Sequence, residues 1–322
     1  MKNFIIFSVL LLFSYKGSSW GFFAHRKINY YAVFLLPPEM LVLYKPHIQF
    51  LSEHAVDPDK RRYLVPQEAP RHFIDIDNYG KFPFKELPRK WDSAIARFGR
   101  DSIISNGIVP WWILIMLQRL TLAFKAKNAA AILKLSAEIG HYISDAHVPL
   151  HACSNHNGQY TNQKGIHAFW ESRIPELLAD RSFNFFIGKA GYIKDPTKYI
   201  WERVLESGAA ADTVLLFEKD LSGRYPTDQK FGFETRNQST IRQYSLQYSL
   251  AYHNKLDGMV ERRMRLSVYS TASFWYTAWV NAGQPDLKKL SGKEFSNEQI
   301  SEFDLLNRHW KNDALKGRSC DE

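Results

Sequence analysis

The stretch NAAAILKLSAEIGHYISDAHVPLH, residues 128–151, decides the fold. Strong helix formers fill its first half, and Ile132, Leu133, Leu135 and Ile139 recur at helical spacing. If that helix runs on, His141 and Asp145 project from one face, one turn apart. Pro149 then stops it and lets His151 turn back towards the same space. One segment thus predicts a helix that brings an imidazole and a carboxylate to one point, with a second imidazole from the loop that follows.

Helical signals continue on both sides. Trp111 to Phe124 (WWILIMLQRLTLAF) is apolar on most sides and reads as a buried helix begun by Pro110. His167 to Leu178 reads as a short helix despite Pro175. Gln238 to Val280 has helical spacing over one or two helices, ended by Gly283 and Pro285. Asp286 to Glu322 is a polar tail, where Ser296 with Gln299 resembles a capping box ahead of Ile300, Phe303 and Leu306. No alternating strand series, internal repeat or low-complexity linker stands out. The expectation is an all-α fold: a single multi-helix domain over residues 20–285 with a C-terminal helical extension over 286–322.

The chain has 322 residues and 45% apolar content, enough to bury a sizeable core. Its 42 Lys and Arg against 33 Asp and Glu favour anionic partners, though many proteins without such partners are equally basic. The start reads as an export signal over residues 1–19. Lys2 gives a positive start, Phe4 to Phe13 is apolar but for Ser8, and Gly17, Ser18 and Ser19 offer small residues for cleavage. The mature chain would begin at Trp20, periplasmic or secreted. No later run approaches the roughly 18 apolar residues of a membrane span. An exported compartment permits a bridge between Cys153 and Cys320, but two free thiols fit equally well.

His167 and Glu171 (HAFWE) form a second pair at i and i+4. Histidine on a helix is more often a surface or satisfied core residue. Two such pairs, with His151 beside a loop rich in Asn and Gly, are harder to explain that way. Imidazole with carboxylate is a usual ligand set for zinc, and facing helices often build metal sites. Three more segments join the case: Trp20 to His25, His54 to Asp59, and Arg71 to Asp75. Singly, each has a bland reading: Trp20 as core packing, Asp57 as a cap, His72 as a strand-end histidine.

Together these residues resemble the superfamily of zinc-dependent phospholipases C and single-strand-specific zinc nucleases. Trp20 and His25 match its Trp-x4-His start, and Asp57 with His72 its Asp-x14-His pair. His141, Asp145 and His151 match its His-x3-Asp-x5-His core, and His167 with Glu171 its closing His-x3-Asp/Glu. The motifs cover residues 20–171. The resemblance implies three Zn2+ ions: one on Asp57, His72 and His141, a second on His151, His167 and Glu171, and a third on His25, Asp145 and the amine and carbonyl of Trp20, with Asp145 shared. Asp59 lies two residues from Asp57, and the interval to His72 favours Asp57. His147 has no ligand role in the pattern and is expected to support the ligands or the core.

The implied activity is hydrolysis of phosphodiester bonds. Zinc lowers the pKa of its water to about 7 and neutralises charge on the leaving group. Asp57 and Asp145 are the carboxylates expected to take part in catalysis. A free amine at Trp20 would tie activity to removal of residues 1–19. For the substrate, the step from Trp20 to His25 and the His147-x-Pro-Leu-His151 run look like the nuclease branch. Glu171 and the short gap from His151 to His167 look like the phospholipase branch. A phospholipid head group is favoured slightly over nucleic acid. Phe22, Phe23, Tyr160 and Trp170 are candidate platforms for bases. A non-catalytic exported metal-binding protein is the reading from a different class; a carboxylate-rich set without cysteine argues against it.

Overall fold

Asn128 caps the helix that the sequence promises: its side chain accepts from the Ala131 N–H, and the helix runs Ala129–Asp145. The structure is a computed structural model that describes residues 21–236, 239–290 and 295–316. Four helices lead: α1 (Phe22–Val33), α2 (Pro38–Tyr44), α3 (Ile48–Glu53) and α4 (Asp57–Arg61). After an irregular stretch come α5 (Trp91–Phe98), α6 (Arg100–Ser105), α7 (Val109–Lys125) and α8 (Ala129–Asp145). Next, α9 (Ile166–Ala168), a π-turn (Phe169–Arg173) and α10 (Ile174–Ser182) follow without a break, and α11 spans Pro196–Arg224. A hairpin of β1 (Phe231–Arg236) and β2 (Ser239–Tyr244) precedes α12 (Leu246–Lys255), α13 (Met259–Asn281) and α14 (Asn297–Asn312). The fold is all-α, a single domain with one antiparallel ribbon.

The core lies between α1, α7, α8 and α13. Helices α1 and α8 approach closely because Gly140 has no side chain. A Cβ there would meet Asn29 Oδ1 at 2.0 Å. Asn29 uses the proximity: its Nδ2 donates to Leu51 O and Ala137 O, each at 3.0 Å. Buried Ser267, Ser270, Thr271 and Ala272 on α13 give α8 similar room. Trp275 Nε1 donates to Ser136 O at 2.9 Å and ties the two helices together. Arg263, also on α13, donates through Nε to His147 O at 2.6 Å and so fixes the chain just after α8.

Several expectations change in detail. The stretch from residue 238 to Val280 opens with strand β2 before its two helices. The alternation of Phe231, Phe233 and Thr235 against Thr240, Arg242 and Tyr244 is the period of a ribbon, and it is too short to have stood out. Helix α7 is not buried all round: Ile115 and Leu122 are 41% and 54% exposed. The π-turn directly before Pro175 loosens the continuous helix where that residue offers no amide. The C-terminal extension is helical as expected, with the reciprocal capping box of Ser296 and Gln299. Phe303 of α14 packs on Phe50 and His54, and Trp310 on Phe22, so this helix covers the segments leading into α1 and α4. Among the described residues no helix is long and apolar enough to cross a membrane. Residues 1–20, with Trp20 and the export signal, and Cys320 lie outside the described residues, while Cys153 is buried.

Candidate metal centre

The late turns of α8 supply the middle of the site. His141 and Asp145 lie one turn apart and both are buried, with Nε2 to Oδ2 at 3.3 Å. Helix α1, held against α8 at Gly140, brings His25 alongside. Its ring stacks on His141 with centroids 3.9 Å apart, and its Nε2 lies 3.5 Å from Asp145 Oδ1. His72, at the end of a 3-10 turn (Pro66–Arg71), enters from the opposite side, with Nδ1 3.0 Å from both Asp145 Oδ2 and His141 Nε2. Asp59 of α4 closes this half: its Oδ1 lies 3.7 Å from His141 Nε2 and 3.8 Å from His72 Nδ1. On the far side, His151 Nε2 and His167 Nε2 lie 3.1 and 2.9 Å from Glu171 Oε2, and His151 Nε2 is 4.0 Å from Asp145 Oδ1.

Among the described residues three buried groups result, each able to hold a metal ion: Asp59, His72 and His141; His25, His141 and Asp145; His151, His167 and Glu171. His141 belongs to two of them, and Asp145 faces all three. The sequence-predicted residues His25, His72, His141, Asp145, His151, His167 and Glu171 are therefore brought together. Asp57 is not. Its carboxylate is held by His54 Nδ1 at 2.5 Å and Lys60 Nζ at 2.9 Å, on the side of α4 away from the cluster. Two residues along a helix turn a side chain by about 200°, so only one of Asp57 and Asp59 can face the site, and Asp59 does. His147 also stays out, as expected. Its Nδ1–H donates to Ile143 O at 2.7 Å, and Nε2 pairs with Ser270 Oγ at 3.1 Å.

The donor set suits metal ions in a specific way. His141 Nδ1–H donates to Ala55 O at 2.9 Å, and His151 Nδ1–H to His72 O at 2.7 Å. Ser144 Oγ sends its single hydrogen to a backbone carbonyl of α8, His141 O at 2.7 Å or Gly140 O at 3.0 Å. It therefore accepts from His25 Nδ1–H, at 2.7 Å. Each of these three rings is thus fixed as the tautomer whose lone pair, on Nε2, faces the carboxylates. Such outer partners are how proteins orient and strengthen metal-binding histidines. His167 Nε2 sits 2.9 Å from a carboxylate oxygen yet off hydrogen-bond geometry, and Asp59 Oδ2 is buried with no hydrogen bond. Each is what a ligand aimed at the ion of its own group looks like, whereas an isolated buried polar atom is costly.

Electrostatics agree. Burial, then the neighbouring His141, lower the pKa of His25 to about 3. Burial opposes protonation of His141, but the Asp145 and Asp59 carboxylates outweigh it and push the ring up to about 9. Burial alone would raise the carboxyls, yet the surrounding imidazoles hold Asp145 well below the usual range and Glu171 at about 2. Asp59 is likewise lowered, against burial, by His141 and His72. Three ionised carboxylates inside a protein need cations: the protonated His141 ring is one, and divalent ions, which take imidazoles in their neutral form, fit in its place.

Sequence reasoning missed the supports. Glu68 is wholly buried; it accepts from Tyr142 Oη and, at 2.6 Å, from Arg71 Nη1, and its Oε1 lies 3.7 Å from His72 Nε2. No motif carried that signal, since Glu68 neighbours Tyr142 only in space. Of the four aromatic candidates, Trp170 is fully buried, Phe22 and Phe23 are half-buried, and only Tyr160, at 74%, is exposed. Against models of known protein families and against curated proteins, the chain finds no match.

Proposed function

We propose that this chain is a zinc-dependent hydrolase of phosphodiester bonds, with a phospholipid head group as the favoured substrate. The observation that carries the reading is the convergence of three buried His and carboxylate groups on Asp145, with the rings of His25, His141 and His151 held Nε2-inwards. Ligands without cysteine, drawn from several separate segments, are typical of catalytic rather than structural zinc sites. Zinc bound there supplies Lewis acidity towards phosphoryl oxygens and brings water to a pKa of about 7.

The residues of the chain have their own tasks. Asp59, whose Oδ2 has no hydrogen bond, takes the role expected of Asp57: it orients the attacking water and accepts its proton. Asp145 holds the three groups in fixed relation. The resemblance to the phospholipase C and zinc nuclease superfamily supports phosphodiester chemistry. By the same resemblance the Trp20 amine would join the site after export. The start of α1 is consistent with that placement, because the buried Gly21 N–H donates at 2.8 Å to the hydroxyl of Ser172, the neighbour of Glu171. Exposed Tyr160, in the loop between His151 and His167, favours a single-strand nuclease as the second reading.

The test is metal analysis of protein starting at Trp20, with hydrolysis of bis-nitrophenyl phosphate before and after chelation. Three zinc ions per chain and a chelator-sensitive activity are the expected result. Protein that retains residues 1–19 should hold fewer ions and turn over poorly. Parallel assays on phosphatidylcholine and single-stranded DNA then separate the two substrates. Full zinc content without hydrolysis of any diester would overturn the enzymatic reading and leave a metal-binding protein.

A further inference from the structure

A second concave region lies away from the metal centre. It is a groove of about 910 Å³ between α5, α6 and the outer face of α7, and none of the residues grouped around the metal positions line it. Ile108, Trp112 and Ile115 form its apolar wall, and Arg89, Lys90 and Arg100 supply cations, with Asp92 also in the lining. Ile115 is the exposed side of a helix that reads as buried, so the groove accounts for apolar surface that has no partner in the chain. Its size falls within the roughly 300–1,000 Å³ of small-molecule sites.

Arg89 gives the groove a sign. Its Nη2 donates to Phe84 O at 3.1 Å and its guanidinium lies 4.5 Å from the Trp201 ring, which fixes the group in place. Its Nη1 is enclosed and makes no hydrogen bond, so what the half-buried Arg89 lends to the groove it lines is charge, which no carboxylate among the described residues offsets. Arg71, by contrast, lies over Trp112 at 3.9 Å and is already paired with Glu68. Arg89, Lys90 and Arg100 against Asp92, beside an apolar wall, are complementary to an anion on a hydrocarbon chain.

We propose that this groove binds a long-chain carboxylate, with the alkyl chain along Ile108, Trp112 and Ile115 and the carboxylate on Arg89. A carboxylate matches the site because Arg89, Lys90 and Arg100 outnumber Asp92 around the apolar wall. The inference is independent of the metal centre, since no groove residue is a proposed ligand.

Laurate, dodecanol and the full mature chain test it, with binding followed by calorimetry in the presence and absence of chelator. Laurate should bind one to one in both conditions. Arg89→Met should weaken laurate about tenfold or more while leaving dodecanol unchanged, as loss of a charge-assisted bond predicts. Ile115→Asp, at a surface position, should abolish binding of both while the melting temperature stays near that of the parent. The proposal fails if laurate does not bind the parent protein. It fails equally if Arg89→Met treats laurate and dodecanol alike, which would make the groove a general apolar site or the seat of another protein. Loss of metal binding or hydrolysis would leave these outcomes untouched, so the two readings fail separately.

Discussion

Asp57 and Asp59 show how finely the site is determined. They differ by two positions, yet one is held by His54 and Lys60 and the other faces His72 and His141. Sequence spacing resolved a ligand set to within a turn of helix but not which carboxylate points inwards, because that depends on the angle at which α4 meets α8. The two residues therefore give opposite expectations. Asp59→Ala should abolish hydrolysis and remove at least one metal ion, and it also costs some stability through the buried 3.7 Å pair with Arg62. Asp57→Ala should keep the metal stoichiometry but cost on the order of 3 kcal/mol of stability, since it strands Lys60 in a buried pair. Metal counts by mass spectrometry, read beside urea unfolding of each variant, decide the assignment. Retention of all ions by Asp59→Ala would return the role to Asp57.

Among the elements, α8 was the most legible, because helix formers, an apolar stripe and chemistry-bearing residues coincide in one segment. Helix α11 was not legible: its 29 residues carry mixed polarity, and it packs Trp201 on Trp111 of α7 and ties Ser207 to the Ala146 carbonyl just after α8. The crossing of α1 and α8 was also hidden, since a glycine in mid-helix reads as a weakness until the neighbour is seen. Here Gly140 lets Asn29 reach two carbonyls and seats His25 on His141. Gly140→Ala should lose about 1–3 kcal/mol by overpacking, even though alanine is the better helix former. It should also weaken binding at His25, His141 and Asp145 more than at His151, His167 and Glu171, which calorimetric titration with zinc can resolve as separate steps. Helix α14 invites a parallel test. Phe303→Ala removes its contact with Phe50 and His54 and should cost roughly 3 kcal/mol. Hydrogen exchange would then report early opening of Asn297–Asn312, with α7 and α8 still protected.

For the whole molecule, the same buried groups make stability depend on pH in a way that metal should reverse. Take the metal-free protein first. His25 has a folded-state pKa of about 3 against an ordinary 6.5, so its contribution is complete above pH 6.5 and is lost as pH falls towards 3. Buried His147, lowered first by desolvation and then by Arg263, works in the same direction. His141 is the opposite case: with a folded-state pKa of about 9, its contribution is complete below pH 6.5 and is lost as pH rises to 9. The lowered carboxylates Asp145 and Glu171 remain ionised throughout this window and add no slope until the pH falls further. In chelator, stability should therefore peak near pH 6.5. From these shifts it should fall by on the order of 1–2 kcal/mol by pH 5.5 and by a similar amount by pH 8. Zinc competes for the Nε2 that the proton occupies on His141, so metal loading should abolish the alkaline fall and steepen the acid one, as protons displace the ions. Melting temperatures across pH 5–9, measured in chelator and in zinc, test this directly. Curves that run parallel would mean that His141 and its neighbours bind no metal. An alkaline fall present only in chelator ties the proton and the metal to the same nitrogen.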